Sequence, residues 1–205
     1  DPIGITQLSS NTEVICNGDN TGSLRVAGTG GTQPLTFTWT GPNGYNNIIS
    51  GNGTVISEIF NLEAGDYNLE LSDASGCTNN SFVGTITEPL PIFAALFEDE
   101  PESCTNSNDA EISAVGGGGN GAPYSYFWNT GQVGSSITVG AGTYSVTVTD
   151  SEGCVSDNSF NITLDPIEEL VAVVTTTTPD CPGLNGNVFY NVSGGTGTIF
   201  YGWPT

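Results

Sequence analysis

The sequence has no histidine and no lysine, and its single basic side chain is Arg25. These absences exclude a Ser-His-Asp triad, a Cys-His pair, a Schiff-base lysine and a His-ligated metal within this chain. One arginine cannot neutralise a nucleic-acid backbone or an anionic membrane surface, so neither is an expected partner. The longest apolar run, from Ile92 to Phe97, is too short to span a membrane, so membrane insertion is not expected.

The charged residues that are present are almost all acidic, and the chain is rich in glycine. The 205 residues carry 22 acidic side chains and a net charge of −21, with 29 glycines and 11 prolines. This composition is rich in turns, but it stays below the glycine and proline content that indicates disorder. Nineteen aromatic residues (3 Trp, 7 Tyr and 9 Phe) are enough for hydrophobic cores. Because like-charged neighbouring domains repel, the charge favours an extended, soluble array.

Three marks recur along the chain in one order, which indicates a tandem repeat. They are an acid-Pro-aliphatic triplet, a cysteine about fifteen residues later, and a Gly-Gly pair that precedes a tryptophan by 8 to 11 residues. The triplets begin at Asp1, Glu88 and Asp165; the cysteines are Cys16, Cys104 and Cys181; the glycine pairs begin at Gly30, Gly116 and Gly194. The marks predict repeats at 1–88 and 89–165, followed by the N-terminal part of a third at 166–205. Since a partial repeat cannot close a core, we expect the native polypeptide to continue.

Strict alternation of apolar and polar residues predicts an all-β fold. The segments Tyr67–Leu71 and Tyr144–Val148 each place apolar side chains on one face only, which is typical of an antiparallel sandwich. About seven short strands in each repeat favour tandem Ig-like β-sandwich domains, two complete and one partial. The Gly- and Asn-rich insertion at about 41–54 predicts a protruding loop or an extra hairpin in the first repeat.

Particular residues fit this architecture. We expect core positions at Trp39, Trp128 and Trp203, and tyrosine corners at Tyr67 and Tyr144. Each complete repeat also has an Asp-x-x-Gly-Cys segment with Asp in the first and Gly in the fourth position of a type I turn; these residues are Asp73, Gly76, Asp150 and Gly153.

The five cysteines follow the repeat rather than a metal-binding pattern. The simplest pairing joins Cys16 to Cys77 and Cys104 to Cys154, which leaves Cys181 for a partner outside the chain. Disulfides of this kind stabilise small domains and indicate an oxidising compartment outside the cytoplasm. Buried free thiols are the alternative.

The motifs together resemble SprB repeats. The resemblance rests on four segments: Gly30–Trp39, Ala122–Gly131, Ala141–Asp150 and the following Glu-Gly-Cys. SprB repeats are tandem modules of very large surface adhesins in gliding bacteria of the Bacteroidetes group. The resemblance implies type IX secretion, display at the cell surface, adhesion, and movement by the gliding motor. It implies no catalytic residues.

No cofactor is expected, and calcium is the one for which the residues offer candidate ligands, because it prefers oxygen ligands. The candidate ligands lie at the joints between repeats: Glu88 with the Glu98–Glu100 run, or Asp165 with Glu168 and Glu169. A solvated acidic face is the alternative, and catalysis by paired carboxylates in that run has little support. Tyr45, Tyr124 and Phe127 are candidates for stacking on sugars, with packing within the domain as the alternative.

Two functions remain after these exclusions. The first is a non-catalytic segment of an extracellular repeat adhesin, with neighbouring repeats, a polysaccharide or other substratum, and the gliding and secretion machinery (through other regions) as partners. The alternative is an Ig-like carbohydrate-binding module attached to a secreted enzyme. The length of the parent and a glycan array would separate the two.

Overall fold

The computed structural model describes residues 1–8, 11–53, 55–178, 186–195, 198–200 and 202, and it is all-β. Fifteen strands are present in this part of the chain: β1 Gly4–Gln7, β2 Gly22–Thr29, β3 Leu35–Thr40, β4 Asn46–Gly51, β5 Val55–Leu62, β6 Gly65–Ser72, β7 Thr78–Ile86, β8 Leu90–Glu100, β9 Ala110–Gly119, β10 Ser125–Trp128, β11 Ser136–Val139, β12 Gly142–Thr149, β13 Phe160–Leu164, β14 Val171–Thr177 and β15 Asn187–Ser193. Within these described ranges one 3-10 turn, Pro42–Gly44, lies between β3 and β4. No helix in the described ranges is long and apolar enough to cross a membrane.

The first repeat forms two antiparallel sheets with the order β1-β2-β5 and β4-β3-β6-β7. This seven-stranded arrangement is an Ig-like sandwich in which β4, from the predicted insertion, adds an edge strand to the second sheet. The alternation seen in the sequence sets the core, since Leu35, Phe37 and Trp39 on β3 are fully buried while the threonines between them are not.

The second repeat repeats this plan with two three-stranded sheets, β11-β9-β8 and β10-β12-β13. Its core contains Ile112, Trp128 and Val146, all fully buried, with Tyr144 and Phe160 packed against it. The third segment contributes the antiparallel pair β14–β15, whose apolar side chains are largely exposed. Trp203 and Cys181 lie outside the described residues.

The chain divides into two compact units that do not coincide with the sequence repeats. Unit 1 comprises residues 1–93, 116–124 and 148–157, and unit 2 comprises 94–115, 125–147 and 158–205. Unit 1 therefore holds the first repeat together with three segments of the second. The repeat boundaries at 88 and 165 stay a prediction from sequence periodicity.

Glycine pairs with positive φ mark the same place in each repeat. Gly30, Gly118 and Gly194 have φ values of 73°, 76° and 76°, and a Cβ at each would overlap the backbone carbonyl of Pro2, Pro91 or Glu169. Only glycine permits both this backbone conformation and this close approach. The structurally equivalent pair in the second repeat is therefore Gly118–Gly119, two residues beyond the pair expected from the sequence.

Candidate functional site

A disulfide joins Cys16 of the first repeat to Cys154 of the second, and both residues lie in unit 1. Their Cα atoms are 5.5 Å apart, and 138 positions separate them in the sequence. Cys77 and Cys104 are unpaired and exposed. The expected pairings, Cys16 with Cys77 and Cys104 with Cys154, are therefore wrong.

The length of β7 explains why Cys16 cannot reach Cys77. Cys77 immediately precedes β7, whereas Cys16 lies two residues after Val14, whose N–H binds the carbonyl of Thr87 just beyond the other end of that strand. Nine residues of strand span about 30 Å, but a disulfide needs Cα atoms within about 7 Å. The first repeat thus carries its two cysteines at opposite ends, and Cys154, bound to Cys16, is not free for Cys104.

The Cys154 turn is organised around the carboxylate of Asp150. Its Oδ1 accepts hydrogen bonds from the N–H groups of Glu152 (3.0 Å) and Cys154 (2.9 Å), while its Oδ2 accepts from Asn120 N–H (2.7 Å) and Nδ2 (3.1 Å). The turn closes through Gly153 N–H to Asp150 O at 3.2 Å. Asp150 and Cys154 are only 6% and 4% exposed. The carboxylate therefore fixes the position of the sulfur.

Hydrogen bonds also hold the Cys16 turn in place. Asn120 Nδ2 donates to Ile15 O at 2.8 Å, beside the disulfide. On the other side, Asn17 Nδ2 donates to Pro89 O (2.9 Å), and Gly18 N–H donates to Glu88 Oε2 (2.7 Å). The Cys16 turn is thus tied both to the segment that follows the first repeat and to the Cys154 turn. Asn120 was not identified from the sequence, although its position directly after the Gly118–Gly119 pair is a usable signal.

The Cys77 turn has the same backbone hydrogen bonds to its carboxylate but no partner cysteine. Asp73 Oδ1 accepts from Ser75 N–H (2.9 Å) and Cys77 N–H (2.8 Å), and its Oδ2 accepts from Thr32 N–H (2.8 Å). Gly76 N–H closes the turn on Asp73 O at 3.0 Å. The Asp-x-x-Gly-Cys segment therefore builds the same turn with or without a disulfide.

Hydrogen bonding shifts the acidity of the turn carboxylates. Backbone N–H groups, those of Thr32 and Cys77 first, lower the pKa of Asp73. Burial by itself would raise the pKa of Asp150, but the hydrogen bonds from Asn120, Cys154 and Glu152 outweigh it and lower that pKa. In the Cys104 turn, Ser103 and Ser107 donate to Asp109 and lower its pKa to about 2.

The aromatic positions lie inside the sandwiches. Trp39 and Trp128 are fully buried, and their indole N–H groups donate to Ser57 Oγ (2.9 Å) and Gly134 O (3.0 Å). The hydroxyl of Tyr67 donates to Glu63 O at 3.1 Å, and that of Tyr144 donates to Gly140 O at 2.9 Å. A bond to a carbonyl four residues upstream is the hydrogen bond of a tyrosine corner.

The three candidates for sugar stacking differ in their contacts within the domain and in their exposure. Tyr45 packs edge-on against Tyr67, with ring centroids 5.3 Å apart, and Tyr124 donates to Gly118 O at 2.7 Å. Phe127 is 59% exposed.

The two carboxylates proposed for calcium have separate surroundings. Glu88 accepts the Gly18 hydrogen bond, whereas Asp165 lines a cleft of about 220 Å³ in unit 2 with Glu98 and Glu102. Across the part of the chain that the structure describes, no three carboxylates or thiols are grouped so as to hold a metal ion. Calcium binding stays a prediction, and calorimetric titration of the chain and its Glu88→Gln variant tests it.

A known repeat family matches two segments of the chain. The SprB repeat family matches residues 8–44 and 98–133, each of which contains a cysteine turn, a glycine pair and a core tryptophan. The resemblance to SprB repeats is therefore confirmed for these segments. No curated protein matches the chain.

Solved structures similar to the chain include three β proteins. A C-terminal fragment of intimin, in complex with the translocated intimin receptor, is 13% identical over 80% of this chain and 67% of its own, with a TM-score of 0.35. The amphioxus IgVJ-C2 molecule is 13% identical over 80% and 96%, with a TM-score of 0.30. Fibronectin(III)-like modules of Clostridium thermocellum CbhA are 15% identical over 79% and 94%, with a TM-score of 0.30.

Proposed function

Because residues 8–44 and 98–133 are SprB repeats, we propose that the chain is a non-catalytic segment of an extracellular repeat adhesin. Its role is to connect and display, and its immediate partners are neighbouring repeats of the same polypeptide. The observation that carries this proposal is the Cys16–Cys154 disulfide, which joins one sequence repeat to the next.

The disulfide changes how the chain carries tension. When the polypeptide is pulled from its two ends, force passes from Cys16 to Cys154 through the S–S bond. The residues between these cysteines then cannot be extended. With a sequence separation of 138, this bond withholds about 45 to 50 nm of chain at about 3.3 to 3.6 Å per residue. Such protection suits a surface filament that is loaded mechanically.

An oxidising compartment supports the extracellular location. Disulfides persist outside the cytoplasm and are rare inside it. The net charge of −21 keeps neighbouring repeats soluble and mutually repelling. In line with the SprB resemblance, the proposal includes export by type IX secretion, attachment to a surface polysaccharide or another substratum, and movement along the cell by the gliding motor.

Single-molecule pulling tests the mechanical role. The chain is stretched from its two termini, with and without prior reduction. We expect reduction to add about 45 to 50 nm to the released contour length, because the full separation of 138 residues becomes extensible. An equal contour length before and after reduction would remove the mechanical role.

Imaging of the source cells tests the location and movement. A fluorescent antibody fragment raised against residues 1–165 should label filaments at the cell surface that travel along the cell. Static surface label would support adhesion and remove propulsion. Label confined to the medium, together with a specific signal on a glycan array, would favour the secreted carbohydrate-binding module instead.

A further inference from the structure

We infer that Cys104 and Cys77 each form an inter-repeat disulfide of the Cys16–Cys154 kind, Cys104 with a cysteine of the following repeat and Cys77 with a cysteine of the preceding one. The rule is directional: the first cysteine of one repeat bonds the Asp-x-x-Gly-Cys cysteine of the repeat that follows it. Cys16–Cys154 is the case in which both halves are present. This inference goes beyond the proposed function and does not depend on adhesion.

The Cys104 turn has the backbone geometry of the Cys16 turn. In each, the carbonyl of the cysteine accepts from the N–H three residues later: Asp19 N–H to Cys16 O is 3.0 Å, and Ser107 N–H to Cys104 O is 3.1 Å. In each, the residue before the cysteine donates its N–H to a side-chain oxygen six residues later. These are Ile15 to Thr21 Oγ1 and Ser103 to Asp109 Oδ1, both at 2.9 Å.

Each of these first-cysteine turns is also tied to the segment that follows its own repeat. Asn17 donates to Pro89 O at 2.9 Å, and its counterpart Thr105 donates through Oγ1 to Ile167 O at 3.1 Å. Cys104 is exposed, as a half-site awaiting a second turn must be.

The Cys77 turn is the other half-site. Around Asp73 it reproduces the three backbone N–H hydrogen bonds that the Cys154 turn makes to Asp150, and its thiol is exposed. Since the Cys154 turn holds a disulfide in the same geometry, the Cys77 turn has the conformation that such a bond requires. Its partner is the first cysteine of a preceding copy, not Cys16, which lies at the opposite end of β7.

The bond forms by thiol–disulfide exchange with a disulfide oxidant, such as oxidised glutathione or an oxidoreductase. One cysteine thiolate attacks the oxidant and releases one of its sulfurs as a thiol, which leaves a mixed disulfide. The second thiolate then attacks the cysteine sulfur of that mixed disulfide and releases the other oxidant thiol. The two cysteines lose two electrons and two protons, and the oxidant is reduced to two thiols.

A chain with one added repeat tests the rule. A copy of residues 89–165 is inserted after Asp165 of the 205-residue chain. This chain and its control both carry Cys181→Ser. The copy carries Cys104→Ser, so that only one Cys104 remains, and Asp157→Glu as a mass label for its own Cys154. After oxidative refolding with glutathione, free thiols are alkylated and the protein is digested with pepsin, because one Arg and no Lys leave trypsin almost no sites.

Mass spectrometry of the digest should show Cys16 bonded to the first Cys154, Cys104 bonded to the labelled Cys154, and Cys77 alkylated. In the matched control, Cys104→Ser in the original repeat, the labelled Cys154 should be alkylated instead. A Cys104 that stays alkylated in the folded chain, or that bonds the Cys154 of its own repeat, would overturn the inference.

A second measurement uses the 205-residue chain itself, with Cys181→Ser, in case the longer chain does not fold. At high concentration in a glutathione redox buffer, covalent dimers should contain Cys104 bonded to Cys77. Such hetero-linked peptides should exceed homo-linked ones by about ten-fold, because the Cys104 and Cys77 turns are the counterparts of the Cys16 and Cys154 turns, which do pair. Equal amounts of hetero- and homo-linked peptides, as random pairing gives, would contradict the directional rule.

Discussion

The two Asp-x-x-Gly-Cys turns have the same backbone and differ in what their cysteines do. Around Asp73 and around Asp150, the same N–H groups bind the carboxylate at 2.7 to 3.0 Å. Yet Cys154 is buried in a disulfide, whereas Cys77 is an exposed thiol. The local sequence therefore builds the turn, and the neighbouring repeat decides the state of the cysteine.

Removing the disulfide should give the largest difference in stability between a change in the Cys154 turn and the same change in the Cys77 turn. Cys154→Ser is expected to lower the free energy of unfolding of unit 1 by about 4 to 5 kcal/mol in the chain-entropy treatment, because the bond closes a loop spanning 138 positions. The matched variant Cys77→Ser breaks no bond and should leave stability unchanged. Calorimetry and hydrogen exchange of unit 1 peptides measure both. Equal effects in the two variants would contradict the assigned pairing.

Removing the turn carboxylate should give the next largest effect. Asp150→Ala leaves the buried N–H of Cys154 and the N–H of Asn120 without their acceptor. We expect unit 1 to lose about 2 to 3 kcal/mol of unfolding free energy. Asp73→Ala should cost less, because the N–H groups of that turn are exposed and water replaces the carboxylate. Urea titrations of the two variants test the order, and a larger loss for Asp73→Ala would contradict it.

Features of the fold that depend on local sequence are predictable from the sequence alone. Period-two alternation predicts the sandwich, because burial on one face of each strand is a local property of the chain. The tyrosine-corner residues are identifiable for the same reason, since each hydroxyl bonds a carbonyl only four residues away.

The cysteine pairing is not local in this sense. Spacing alone favours a bond between Cys16 and Cys77. Only the fold shows that the two cysteines lie at opposite ends of β7. The role of Asn120 is not predictable from the sequence for a related reason. Its role depends on two positions far away in the sequence, Ile15 and Asp150.

Features internal to one repeat should not distinguish the two repeats. Tyr67→Phe and Tyr144→Phe each remove one hydrogen bond to a backbone carbonyl and are expected to cost about 1 kcal/mol in their own unit. Hydrogen exchange of peptides from each unit measures the two losses separately. A cost confined to one of the two variants would show that the tyrosine corners are not equivalent.

The smallest expected effect is the loss of stability in acid, as the carboxylates of the two turns become protonated. The pKa values of Asp73 and Asp150 are held below the ordinary value of 3.8 in the folded chain by the hydrogen bonds that their carboxylates accept. A group with a lowered folded pKa contributes stability that is fully present above its unfolded pKa and is lost as the pH falls through the folded pKa. We therefore expect the melting temperature to be flat above pH 5 and to fall below about pH 4. Asp150→Asn and Asp73→Asn should each make that acid limb shallower, and an unchanged limb in Asp150→Asn would show that this carboxylate is not the anion that holds the Cys154 turn.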